Sequence, residues 1–194
     1  NIPLCRGWDA VGQALDQQGL AFAPLVDWAA PLQRMIDLRN SLGLRSPIHS
    51  LARILNPLSA RCGLQSIFHP GYQAVHRDAS GLLGDTAIVV KGDGGEIEIN
   101  PDSASHLYGT RDHLPWDEEW PALAAQRHVK PPSLESHHLV EFWQGERQDS
   151  YGELALISTM ALALRGLGSS REEAFEEARA LWAARDLDGC AKSS

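Results

Sequence analysis

Residues Thr86-Ala87-Ile88-Val89-Val90 form an unbroken β-branched and apolar run that leads directly into Lys91-Gly92-Asp93-Gly94-Gly95-Glu96. A half-exposed strand alternates polar and apolar side chains. A run without that alternation reads as a strand covered on both faces, and such strands belong to parallel sheets with helices on either side. The fold class that follows is α/β, a mixed or parallel sheet flanked by helices. In open α/β sheets ligands lie just beyond the carboxyl ends of the strands. The glycine-rich turn carrying Asp93 and Glu96 falls at that place. Its competing reading is a tight connection into an alternating strand over residues 96–99, Glu-Ile-Glu-Ile.

Periodicity supplies the other elements. A helix is predicted over residues 8–17, with Gly19 after it, then a short buried strand over 20–23 that stops at Pro24. Leu32, Met35, Ile36, Leu38 and Leu42 share one side of a helix over 32–42 that Gly43 is placed to end. Ser46 and Pro47 suit the cap and first turn of a second helix running to about residue 55. His49 and Arg53, four apart, would share a face of it. Residues 67–70 read as a turn, and a helix follows to about 79. Residues 100–136 show no period and read as one irregular excursion, in which Trp116 and Trp120 cover a core edge. Two helices close the chain, over 151–165 and 171–184. The second is opened by a Ser169/Glu172 capping box and carries an apolar stripe of Ala174, Phe175, Ala178, Leu181 and Trp182. His137 and His138 show no partner at ligand spacing, which argues against a metal there.

Composition removes several function classes. The chain has 194 residues, enough for one domain that hides roughly 70% of its unfolded surface. No apolar run approaches the ~20 residues that span a bilayer. Three cysteines without a Cys-x-x-Cys pair argue against a disulfide framework or a structural zinc, and point to a reducing cytoplasm. The opening Asn1-Ile2-Pro3 carries no features of a signal peptide. A net charge of −8 argues against a general nucleic-acid binder, yet residues 31–80 hold six Arg (34, 39, 45, 53, 61, 77) against two Asp. That local excess suits an anionic ligand held on an acidic body.

Three stretches resemble a known family. Leu20-Ala21-Phe22-Ala23-Pro24, then Leu38-Arg39-Asn40-Ser41-Leu42-Gly43-Leu44-Arg45, then Asn56-Pro57, are similar to the central segment of anthranilate phosphoribosyltransferases. The strand at 87–90 with its Gly92 loop resembles the family's glycine-rich loop carrying an Asp-Glu pair. Residues 155–185 resemble its last two helices. The resemblance implies a cytoplasmic glycosyltransferase of tryptophan biosynthesis that moves phosphoribose from phosphoribosyl pyrophosphate to an amine or nitrogen acceptor. Arg39 falls on an arginine that contacts the acceptor carboxylate, and Arg45 on the second arginine of that motif. The magnesium-binding pair falls on Glu96 and Ile97, so Asp93 or Glu98 would supply the second carboxylate beside Glu96. Arg39, Gly43, Arg45 and His49 also follow the spacing of a divergent, YbiB-like branch. That likeness implies single-stranded nucleic acid in a basic groove formed by Arg34, Arg39, Arg45, His49 and Arg53. A third reading is a structural scaffold whose site has decayed. The family's helical N-terminal domain and its phosphate-cradling loop have no counterpart here. The chain therefore reads as the C-terminal portion of a longer protein, inactive alone, whose homodimer would form through that missing domain.

Overall fold

The computed structural model describes residues 2–44, 46–92, 96–128 and 135–189. The chain divides after Leu55 into two compact units. The first contains α1 (Trp8–Gln18), α2 (Leu25–Trp28), α3 (Ala30–Asp37), α4 (Arg39–Leu42) and α5 (Ile48–Leu51). Its small core gathers Cys5, Val11 and Ala14, with Ala21 and Ala23 against them. Gly19 and Gly43 take left-handed φ values of 70° and 68° and end α1 and α4 as predicted.

Three expectations in this unit are corrected. Residues 20–23 form no buried strand: Phe22 makes one parallel bridge to Leu4 and is 56% exposed. No further strand flanks that bridge among the described residues, so the ladder cannot grow. The helix over 32–42 is two helices, because at Leu38 the backbone tightens to ψ −20° and Ser41 N–H donates to the Leu38 carbonyl, an i→i+3 bond. The helix opened by Ser46 and Pro47 covers only Ile48–Leu51. Arg53 and Ile54 N–H groups donate to Ser50 and Leu51 in the same tight pattern, and Pro57 disfavours helix at Asn56.

The second unit holds β1 (Gly63–Ile67), α6 (Gln73–Leu83), β2 (Ala87–Lys91), β3 (Ser105–Arg111), β4 (Leu114–Trp120), α7 (Ser136–Gln144), α8 (Ser150–Leu167) and α9 (Arg171–Ala183). The strands make one mixed sheet in the order β1-β2-β3-β4. β1 and β2 are parallel, and the other neighbours are antiparallel. β2 is closed on both faces, as its sequence requires. Ile88 and Val90 join a core with Leu107, Trp120 and residues of α8 and α9. Val89, one residue out of phase, pairs with Gln65 of β1, whose amide donates to Ser80 of α6 at 2.8 Å. α6 therefore covers the other face. Asn56 ties the chain before β1 to the chain before β2 by donating to Asp85 at 2.9 Å. Gly166 of α8 lies against Cys62, and a Cβ there would stand 2.4 Å from its sulfur.

The stretch 100–136 is corrected most: it contains the β3–β4 hairpin. The turn is Asp112-His113, with φ of 51° and 63°, the paired left-handed conformation that two-residue hairpins favour. Residues 96–100 form no strand, since Ile99 N–H donates to the Thr159 hydroxyl at 3.1 Å instead of to a ladder. The capping box is Ser170/Glu173, one residue later than predicted, and Leu181 of the apolar stripe is 51% exposed. Trp116 and Trp120 do cover the core. Glu118 accepts from the Trp120 indole at 2.9 Å and from Arg165 at 2.8 Å, and the Arg165 guanidinium lies 4.6 Å over Trp116. Beyond β4 the chain is anchored by Asp102, which accepts from the His128 ring at 2.7 Å and from its backbone N–H at 2.9 Å. Those bonds hold the Asp102 carboxyl below the usual carboxylate range.

Trp120 is 1% exposed, so Trp120→Ala is expected to cost about 3–5 kcal/mol, read as a fall in the urea midpoint. Asp102, with its depressed pKa, contributes stability that is present above the ordinary Asp range and lost as pH falls through the lowered value. Asp102→Asn is therefore expected to be less stable than wild type at neutral pH. The gap closes on acidification below the ordinary Asp range, which paired urea titrations across pH would show.

Candidate functional site

A cleft of about 330 Å³ lies beyond the carboxyl ends of the parallel pair β1 and β2, where an α/β sheet offers ligands space. Gln73, Lys91, Glu96, Glu98, His106 and Tyr151 are among its walls. The local build begins at Gly92. Its N–H donates to the Ile67 carbonyl at 3.3 Å, and a Cβ on it would stand 1.8 Å from the Ser66 hydroxyl. Only glycine lets the backbone leave β2 so close to β1. Further on, the alternation Glu-Ile-Glu-Ile survives without a strand: Ile99 is 3% exposed in the core, and Glu96 and Glu98 are exposed. A period of two thus puts both carboxylates on one side, in the cleft. The Tyr151 hydroxyl donates to Glu98 at 3.2 Å and limits its rotation.

Gln73 opens α6 and is 4% exposed, and its amide nitrogen has no hydrogen-bond partner among the described residues. A buried donor left unmade costs about 1–3 kcal/mol. Nothing in periodicity marked Gln73. The available signal was its place at the start of the helix that follows the first strand of a β-α-β unit.

Of the residues expected to bind magnesium, Glu96 lines the cleft and Asp93 lies outside the described residues. Glu98 lines the cleft beside Glu96, and Asn100 and Ser103 line it too, with the Asn100 side-chain oxygen accepting from the Asp102 N–H at 2.9 Å. Among the described residues no third acidic or histidine ligand joins them. Magnesium is commonly held by one or two carboxylates together with substrate phosphates and water, and this donor set fits that habit.

The predicted anion-binding residues belong to the first unit. Arg34 lies in the last turn of α3 and Arg39 opens α4, both exposed. His49 and Arg53 are half-buried, and Arg45 lies outside the described residues. α3 packs against α4 and α5, which brings Arg34, Arg39 and His49 onto adjoining segments. The His49 Nδ1 sits 3.2 Å from both the N–H and the carbonyl oxygen of Ser46, which fixes the ring against the start of α5. His137 and His138 do have a third group at ligand spacing, contrary to expectation: Glu141, one turn along α7.

No family profile matches the chain. It is 30% identical over 101 residues to the uncharacterized protein YbiB of Escherichia coli, covering 51% of this chain and 31% of that protein. An uncharacterized protein of Aquifex aeolicus is 33% identical over 84 residues, covering 43% and 27%. The anthranilate phosphoribosyltransferase of Chromobacterium violaceum is 27% identical over 82 residues, covering 42% and 24%. The matched part spans a third or less of the length of these relatives. The chain is thus similar, over about half of its length, to YbiB and to an anthranilate phosphoribosyltransferase.

Proposed function

We propose that the cleft at the carboxyl end of β1 and β2 takes the phosphoribosyl pyrophosphate donor of a phosphoribosyltransferase-like reaction, with magnesium held by Glu96 and Glu98. The observation that carries this reading is the gathering, in one cleft, of two carboxylates with Lys91 and the Gln73 side chain. Similarity to an anthranilate phosphoribosyltransferase supports it. In such a reaction a nitrogen of the acceptor bonds to C1 of the ribose. The C1–O bond breaks, pyrophosphate leaves with the electron pair, and the acceptor nitrogen releases a proton to solvent. Bound magnesium neutralises charge on the departing pyrophosphate. The protein's share is position and charge: Gln73 donates to a phosphate or ribose oxygen, and the Lys91 ammonium meets phosphate charge. Tyr151 holds Glu98. In the first unit, taken by itself, exposed Arg39 has a guanidinium fork that suits a carboxylate, the role the resemblance gives it.

A second reading rests on a different observation. Exposed Arg34 and Arg39 on consecutive short helices suit the backbone of single-stranded nucleic acid, and YbiB is among the similar proteins.

Calorimetry with phosphoribosyl pyrophosphate and magnesium tests the first reading. Wild type is expected to bind only with the metal present, and Glu98→Gln and Gln73→Leu each to weaken binding about tenfold, or 1.4 kcal/mol. Gln73→Leu removes a buried unmade donor, so the same variant is expected to gain about 1 kcal/mol of stability, read by urea unfolding. Absence of donor binding, together with oligonucleotide binding that falls steeply with salt and is lost in Arg39→Ala, would replace the first reading by the second.

A further inference from the structure

We propose that α7 carries a surface site for a zinc-type divalent cation, formed by His137, His138 and Glu141 and separate from the magnesium cleft. The ligating atoms of these three side chains all lie within 4.8 Å of one another. They stand at i, i+1 and i+4. Successive helical residues are about 100° apart, so the three fall within an arc of about 100° on one face. Residues three and four apart are neighbours on a helix surface, which brings Glu141 beside both rings. The rings themselves have centroids 4.2 Å apart.

The opposite side of α7 is committed to packing. Phe142 stacks on Trp182 of α9 at 5.1 Å, and the Trp143 indole donates to the Asp186 carbonyl at 2.7 Å. Those contacts hold the helix with the His-His-Glu face outward, and His137 is exposed and the other two half-buried. Arg147 lies 3.9 Å from the Glu141 carboxylate. At that distance the pair is loose and solvated, worth about 0–1 kcal/mol, and a dication displaces it.

The donor set selects the metal. Two imidazoles and a carboxylate suit zinc and its neighbours rather than magnesium or calcium, which take oxygen ligands. In a tetrahedral zinc site the ligating atoms stand about 3.3 Å apart, so no pair of the three ligating atoms has to close by more than about 1.5 Å. Three protein ligands leave a fourth position open to water or to a group brought by a partner.

Calorimetric titration of the chain with zinc chloride, and visible absorption with cobalt(II) as a reporter, tests this. One equivalent is expected to bind. His137→Ala and Glu141→Gln are each expected to weaken binding at least about tenfold, since loss of even an outer-shell partner costs ~10–100-fold. Glu98→Gln, in the cleft, is expected to bind zinc as wild type does, which separates this site from the magnesium reading. Because a variant can lose helix instead, wild-type ring proton NMR provides a second readout. Zinc is expected to shift the His137 and His138 signals and leave His106 unmoved. Equal zinc affinity in wild type and both variants, or no shift of the His137 and His138 signals, overturns the proposal.

Discussion

The two faces of β2 are closed by different helices, and the rest of the second unit is arranged by that requirement. Ile88 and Val90 face α8 and α9, and Ala87 and Val89 face α6. Burying apolar surface is worth roughly 25 cal/mol per Å², so a strand with all four of these side chains covered cannot sit at an edge or face water. It has to lie inside the sheet with a layer on each side. Putting it there makes α6 the crossover from β1, and it points the carboxyl ends of β1 and β2 to the same place. The cleft is a by-product of that geometry. Its chemistry comes from what the chain does after leaving β2: a glycine that passes the Ser66 hydroxyl, then alternating residues that send Ile99 inward and two carboxylates outward.

Polar groups lock the arrangement where apolar contacts leave it loose. Glu118 is shared by the Trp120 indole and Arg165, whose guanidinium also covers Trp116. One carboxylate thereby joins β4 to α8 across the core edge. Arg111 works at the same end of the helix: it donates to the carbonyls of Arg165 and Gly166, two of the last four carbonyls that a helix cannot satisfy from within. The contrast with Gln73 is informative. Glu118, Arg165 and Arg111 meet partners of fitting geometry, whereas the Gln73 amide nitrogen, in a residue more deeply buried than Arg165, has none among the described residues.

Legibility in the sequence followed the physics of each signal. A continuous β-branched run, a glycine after an amphipathic stretch and an apolar stripe with period 3.6 are local, and β2, the ends of α1 and α4, and α9 were readable from them. β1 was missed because Gly63-Leu64-Gln65-Ser66-Ile67 mixes glycine and polar residues that are buried by α6, not by their own character. The β3–β4 hairpin was missed because its turn is Asp112-His113 rather than a glycine pair, and because Pro115 and three acidic residues lie in β4. Glu96 was found from its place just beyond the carboxyl end of β2, and its metal role from the resemblance. Gln73 and the Glu141 partner of the histidine pair depend on tertiary burial and on a helix start, neither of which periodicity supplied.

Cys62 sits where a larger residue at position 166 would collide with it. Burial pushes its thiol pKa up, against a smaller opposing pull from Arg111. The thiolate is the reactive form of cysteine, so at neutral pH this sulfur stays protonated and nucleophilically quiet. Peroxide, disulfide reagents and alkylating agents all act through the thiolate, and the half-buried Cys62 offers little of it. The contact that lets α8 approach the chain before β1 also keeps the sulfur there in its less reactive thiol form.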